Sequence, residues 1–379
     1  MPRDNTRLPL KDNPTGQGII LTCLGLLAFG AVVVHSATSS VGPCPPWYAR
    51  QEVRHVIFAG LACLVLFFAW RFDYRRLMWG RRLPIMPAVG LLLALACCVM
   101  VFVPGIGRSV GGCHRWIRVG PDEYAIGFQP SELVKLALAI FLAAWLSRDS
   151  ADVRSWKTFV PAVAVTAVCA AAVVTEDFGT AAIICLVAGV TMLLGGVPVG
   201  YLLGLTAPAA AGFYLFVMRV PHRWARITAM TDVWAQGNPS TYQPRQALLA
   251  VLLGGWTGKG PGNGIQKLFL PEAATDFIFS VCCEEWGFIG ALVLTGLIAI
   301  WVWNCRRAAL GASDRFGRLL VGSLGFLIAV QATLHIAVNL VVAPPTGISF
   351  PFVSAGGTAL VIAAAAAALI VSVTARSQK

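Results

Sequence analysis

Two carboxylates, Glu272 and Asp276, stand four residues apart in Leu270-Pro-Glu-Ala-Ala-Thr-Asp-Phe-Ile-Phe-Ser280, where a turn runs into a long apolar stretch. Acids at the mouth of a membrane helix are costly to keep, which makes both candidate site residues. In so poor a dielectric a carboxyl group is expected to titrate high enough to take a proton from a hydroxyl. The plainer reading is that Asp276 complements the dipole of the helix it precedes. Deeper in the same stretch, Glu284 and Glu285 are adjacent, so at least one must face the protein interior and find a partner there. Glu132 and Lys135 lie three apart in Gln129-Pro-Ser-Glu-Leu-Val-Lys135 and share a helical face. They are expected to pair inside the bundle, with Ser131 as the N-cap; a snorkelling Lys135 is the alternative. Gln331, His335 and Asn339 recur every four residues, a polar stripe expected to hydrogen-bond to neighbouring helices rather than to catalyse. In Thr175-Glu-Asp-Phe-Gly-Thr180, Asp177 is expected to cap the next helix and Glu176 to be a solvated turn residue.

Composition names the class of elements that must hold these groups. Of 379 residues, 57% are hydrophobic and 12% charged, with a mean hydropathy of +0.74. Such usage belongs to membrane proteins. Apolar runs recur near Ile19–Val34, Val56–Trp70, Pro84–Val103, Leu133–Leu146 and Phe159–Val174. Others follow near Thr180–Leu194, Gly200–Met218, Phe277–Trp303, Leu319–Val342 and Ala359–Val373. The expectation is an all-α integral membrane protein of about ten spans, with its largest loop between helices 7 and 8. Residues 1–18 form a tail, 19–375 one polytopic domain and 376–379 a second tail. The first span shows no small-residue cleavage site, so no removable signal peptide is expected.

Lys and Arg set the orientation. Seventeen fall on the side shared by both termini, against eleven in the longer loops opposite. By the positive-inside rule both termini are expected to be cytoplasmic, which puts Asp276 at the outer end of its helix. The net charge of +12 is then mostly a topology signal with attraction to membrane lipids. No clustered basic face with aromatic readers suggests nucleic acid. The outward cations Arg115, Arg118, Arg223, Lys259 and Lys267 need another account, either headgroup contact or an anionic substrate such as a lipid pyrophosphate.

Gly254-Gly-Trp-Thr-Gly-Lys-Gly-Pro-Gly-Asn-Gly264 fails as a nucleotide loop, because no Ser or Thr follows Lys259 and no strand precedes it. It is either a backbone approaching a ligand closely or a flexible loop. Ahead of it, the apolar run 246–253 is too short to cross and suggests a re-entrant or interfacial half-helix. Of 11 cysteines, Cys44 and Cys113 fall in expected outer loops, where a disulfide is one possibility. The histidines are too scattered for a metal site.

Several segments together resemble the SEDS family (FtsW, RodA, SpoVE): Arg115-Trp-Ile, Gln129-Pro-Ser-Glu-Leu-Val-Lys135, Asp177-Phe-Gly-Thr180, Leu270–Phe279, Glu284-Glu-Trp-Gly287 and Pro345–Pro351 before Gly356-Gly357. Tyr242-Gln and Gln266-Lys-Leu-Phe-Leu-Pro271 look more like its cell-division branch, FtsW, than its elongation branch, RodA. The resemblance implies a ten-helix peptidoglycan glycosyltransferase of the bacterial inner membrane. Its substrate would be lipid II (undecaprenyl-pyrophosphoryl-disaccharide-peptide), and its partners a class B penicillin-binding protein and other divisome proteins. It maps the family's essential acid onto Asp276 and an important outer-loop tryptophan onto Trp116. Asp276 would be the general base, with Arg115, Trp116, Arg118, Lys135, Arg223, Lys259 and Glu272 around substrate and pyrophosphate. A divalent cation such as Mg or Mn is compatible with that chemistry, although no dedicated cage is visible. One departure stands out: Ser354-Ala-Gly-Gly-Thr358 has Ala355 where the family usually carries tyrosine. A lipid II flippase, an elongation-type polymerase and an inactive scaffold are the alternatives.

Overall fold

The computed structural model describes residues 8–39, 46, 50–69, 71–78, 84–110, 113–120, 126–235 and 239–377. The expected Cys44–Cys113 pairing falls on residues and side chains outside that description. The chain opens with α1 (Pro14–Thr38), α2 (Gln51–Ala69) and α3 (Ile85–Met100). A ribbon of β1 (Gly107–Val110), β2 (Cys113–Val119) and β3 (Ile126–Phe128) follows, then α4 (Pro130–Leu146), α5 (Trp156–Val174) and α6 (Phe178–Leu194). Next come α7 (Val199–Leu203), α8 (Thr206–Phe213), α9 (Pro221–Thr231) and α10 (Tyr242–Gly254). The fold closes with α11 (Ile278–Gly311), α12 (Arg315–Asn339) and α13 (Gly357–Thr374). Among the described residues, seven helical segments are long and apolar enough to cross a membrane. Each expected span coincides with helix, so the polytopic all-α reading holds.

The core is built on α4, α12 and α13, whose faces are buried almost end to end. Small residues allow this: Ala363, Ala364, Ala366 and Ala367 let α13 pack closely against α2 and α12. The seventh span is the exception. It runs through α7, α8 and a π turn at Tyr214–Met218, and only 6% of it is buried. Ser131 does not cap α4. Gln129 holds that position and Pro130 opens the helix, because proline's fixed φ and missing N–H suit the first turn. Asp177 does cap α6, accepting from Thr180 N at 3.0 Å.

The ribbon is antiparallel, in the order β1-β2-β3, and was not anticipated. Its period-two pattern is short and sits among glycines, where helix-length hydropathy is silent. Glu176 is not solvated either. Its Oε2 accepts from His114 N at 2.7 Å, fastening β2 to the turn between α5 and α6.

The short helix α10 confirms the half-helix expectation and packs along α11. At Gly287, φ 64 and ψ −157 interrupt α11, and the glycine loop fills the break. Phe288 N donates to Gly255 O at 2.9 Å, Lys259 N to Glu284 O at 3.0 Å and Gly260 N to Glu285 O at 2.9 Å. The close approach made by these glycines is therefore to α11 itself. A Cβ on Gly258, which has φ +79, would lie 2.2 Å from Glu285 O. We expect Gly258→Ala to lower the melting temperature of the detergent-solubilised protein by several degrees, since both strain and backbone collision oppose it. An unchanged melt would show that the loop does not depend on this contact.

Candidate active site

Asp276 is held by its backbone, which leaves its carboxylate available. Glu272 takes the left-handed conformation at φ 57, and its carbonyl accepts from Thr275 N at 3.1 Å and Asp276 N at 3.0 Å. The final loop grips the same turn. Ser354 Oγ donates to Thr275 O at 2.6 Å, and Ala355 N donates to Ala274 O at 3.0 Å. On the other side, Asn339 Nδ2 donates to Asp276 O at 3.1 Å, while Asn339 Oδ1 accepts from Ser280 N at 2.9 Å and Ser280 Oγ at 2.8 Å. The helix N-cap is Phe277, with no side-chain capping bond, so Asp276 is not serving as a cap.

Asn339 is thus a positioning residue, joining α12 to the two ends of the turn that presents Asp276. Asn339→Leu should leave Ser280 and Asp276 O without that partner and let the carboxylate drift. We expect kcat to fall by about tenfold to a hundredfold with little change in KM. Unaltered turnover in this variant would remove Asn339 from any positioning role.

The surroundings of Asp276 set its acidity. Burial raises its pKa to about 6, helped by the negative charges of Glu272 and Asp177; Arg115 and a hydrogen bond from Thr275 pull the other way. Arg115 comes from β2, and its Nη1 lies 4.0 Å from Asp177 Oδ2. Gly347, at φ +68, closes the group. A Cβ there would sit 3.5 Å from Asp276 Oδ2 and 3.7 Å from Arg115 Nη1, so the glycine keeps the space between acid and guanidinium open.

A cavity of about 440 Å³ adjoins this cluster, sharing Arg115 and Asp177 with it. Thr175, Phe178, Phe213, His222, Arg223, Arg226, Pro345 and Thr346 also line it. The cations are ordered by main-chain oxygens. Arg223 donates to Phe216 O at 2.9 Å and also to Thr175 O, and Arg226 donates to Pro345 O at 3.4 Å. A polar, net-cationic chamber bounded on one side by the weakly packed seventh span can hold an anionic headgroup while its lipid tail stays in the bilayer.

The family described as cell cycle protein (FtsW/RodA/SpoVE) matches residues 17–379. The chain is a SEDS protein. A relative in Nitrosococcus halophilus, named probable peptidoglycan glycosyltransferase FtsW, is 36% identical over 363 residues, covering 94% of this chain and 90% of that protein. One of the same name from Pseudomonas fluorescens is 36% identical over 378 residues, covering 95% and 89%. A solved structure titled for the coordination of polymerization and crosslinking by a peptidoglycan synthase complex superposes with a TM-score of 0.76 at 24% identity, covering 94% and 97%. The rod shape determining protein RodA of Thermus thermophilus gives 0.67 at 23% identity, covering 94% and 95%. At these identities the likeness to both structures is one of fold.

The SEDS framework brings some expected site residues together and separates others. Asp276, Glu272 and Arg115 share one cluster, and Arg223 faces the adjoining cavity. Lys259 does not join them, because its Nζ is 2.7 Å from Glu284 Oε1. Lys135 is buried and paired with Glu132 at 2.7 Å, as the spacing suggested. Strand alternation puts Trp116 and Arg118 on the ribbon face opposite Arg115. Trp116 packs over Gly127, where a Cβ would approach its ring to 2.9 Å. Lys267 is bonded to Glu285, Ser36 and Gly262 O.

The polar stripe does hydrogen-bond within the bundle: His335 Nδ1 lies 2.7 Å from Ile348 O and Asn339 donates to His335 O at 2.8 Å. The Ala355 departure touches the turn only through its backbone, which any residue would supply. Among the described residues, no group of three or more His, Cys, Asp or Glu side chains could hold a metal ion. His222, Arg226 and Thr346 were missed by sequence reasoning; the basic run Arg219–Arg226 carried the signal for the first two.

Proposed function

We propose that this SEDS protein is a peptidoglycan glycosyltransferase that polymerises lipid II into glycan strands at the outer leaflet during cell division. The observation that carries the reading is Asp276, poised at pKa about 6 beside Arg115 at the edge of a cationic, membrane-depth cavity. Curated relatives named for this activity match along nearly the whole chain. In the reaction, the Asp276 carboxylate takes the proton of the acceptor sugar's 4-hydroxyl. The freed oxygen attacks the donor's anomeric carbon, the bond to the phosphate oxygen breaks, and undecaprenyl pyrophosphate leaves. Arg115, Arg223 and Arg226 offset the charge that accumulates on the departing pyrophosphate. Exchange of main-chain carbonyls for phosphate oxygens would turn the two cavity arginines from struts into ligands. The termini face the cytoplasm in this scheme, and a class B penicillin-binding protein crosslinks the product.

A lipid flippase is the second reading, favoured by the break in α11 at Gly287. The charges at that break oppose it. Glu284 and Glu285 are closed into pairs with Lys259 and Lys267 and do not line a path. Purified protein, with and without its transpeptidase partner, should convert labelled lipid II into glycan ladders on a gel. Leaflet exchange in liposomes without any ladder would replace the polymerase reading with the flippase.

A further inference from the structure

Thr346 carries a hydroxyl that the fold does not satisfy. Its Oγ1 is buried and has no hydrogen-bond partner, yet the residue lines the cation-rich cavity. Buried hydroxyls are seldom left unpaired, because desolvation is then uncompensated. The side chain is also pinned. At Gly179, near the start of α6, a Cβ would stand 2.7 Å from Thr346 Cβ. On the other side, Arg226 bonds the preceding carbonyl, Pro345 O, at 3.4 Å. The next residue is Gly347, whose missing side chain leaves open the gap between Asp276 Oδ2 and Arg115 Nη1. A fixed donor therefore stands where the cavity meets the carboxylate, in a wall otherwise supplied with guanidinium groups.

We propose that Thr346 is a substrate-contact residue whose hydroxyl donates to a pyrophosphate oxygen of the lipid-linked donor sugar. The inference rests on the glycosyltransferase reading for the identity of the donor, while the contact itself needs only a pyrophosphate oxygen. A hydroxyl suits this place because it adds a directional bond without adding another positive charge beside Arg115. Gly347 then lets the anomeric carbon next to that phosphate approach the acceptor oxygen at Asp276.

The test compares Thr346→Val, which keeps the shape, with Thr346→Ser, which keeps the hydroxyl, in the full chain with its transpeptidase partner. Thr346→Val should raise the KM for lipid II about tenfold and move kcat by less than about threefold, because the bond is made before and during reaction. Thr346→Ser should stay within about threefold of wild type, and both variants should melt with it. Inorganic pyrophosphate binding, followed by calorimetry without turnover, should weaken by a similar factor in the valine variant alone. Equal impairment of valine and serine variants would assign the effect to packing against Gly179 and overturn the proposal. So would wild-type KM and pyrophosphate affinity in Thr346→Val. Thr346-dependent pyrophosphate binding in a protein that makes no glycan would sink the enzyme reading and leave the contact standing. Ladders with Thr346-independent pyrophosphate binding would sink the contact alone.

Discussion

Asp276→Asn is expected to lower kcat for glycan synthesis by about 10²–10⁴-fold, the usual contribution of a positioned general base. Asparagine keeps the size and polarity of the side chain but cannot accept the acceptor sugar's proton. KM should change little, because the cavity that holds the donor is built from other residues. The wild-type pH profile carries the same signature. With the carboxyl pushed to about 6, the reactive carboxylate form is lost in acid. Turnover should rise about tenfold per pH unit below that value and level off above it.

Stability runs the opposite way. Since the folded-state pKa is raised from 3.8 to about 6, the folded protein holds this proton more tightly than the unfolded chain. Asp276 therefore loses stability for the fold as pH climbs from about 4 to about 6, and its charged form is a standing cost at neutral pH. Asp276→Asn should melt no lower than wild type at neutral pH, so that inactivity cannot be ascribed to unfolding. Single-turnover assays between about pH 5 and 8 decide the matter. A variant that still polymerises at full rate, or a wild-type profile flat across that range, would remove the base from Asp276.

Lys267→Met should cost the fold about 3–5 kcal/mol, the penalty for stranding one partner of a buried ion pair. Lys267 and Glu285 are both almost fully buried, with their charged atoms 2.9 Å apart. Lys267 Nζ also donates to Ser36 O at 3.0 Å and Gly262 O at 2.9 Å, and Ser36 Oγ donates to Glu285 at 2.6 Å. One ammonium group thus joins α1, the glycine loop and the broken α11. Removing it leaves the Glu285 carboxylate in a low-dielectric interior with only a serine hydroxyl. The double variant Lys267→Met/Glu285→Gln should recover much of the loss, because no buried charge then lacks a partner. Thermal unfolding in detergent measures both. If the single variant melts with wild type, or the double variant is no better than the single, the pair is not what closes this junction.

The polytopic class, the positions of the spans and the pairing of Glu132 with Lys135 were legible in the chain. Each depends on local facts: apolar runs as long as a bilayer is thick, and helical neighbours three residues apart. Asp276 was legible for a related reason, since an acid at a helix mouth is conspicuous against an apolar background. The cations were not sortable in that way. Arg115, Lys259 and Lys267 look alike along the chain, yet only Arg115 reaches the Asp276 cluster, while both lysines are consumed by Glu284 and Glu285.

Tertiary structure alone decided those partnerships, because a long flexible side chain pairs with whatever charge the packing of distant helices brings near. The same holds for Asn339 and Ser354, whose bonds to the turn before α11 join residues some 60 to 80 positions apart. It holds also for Thr346, whose hydroxyl is unremarkable as a residue type and becomes informative only because α6 and the final loop bury it unpaired. Hydropathy and spacing report what a segment does with its surrounding solvent and nearest turns; which side chains meet across the bundle is set by contacts that no local pattern encodes.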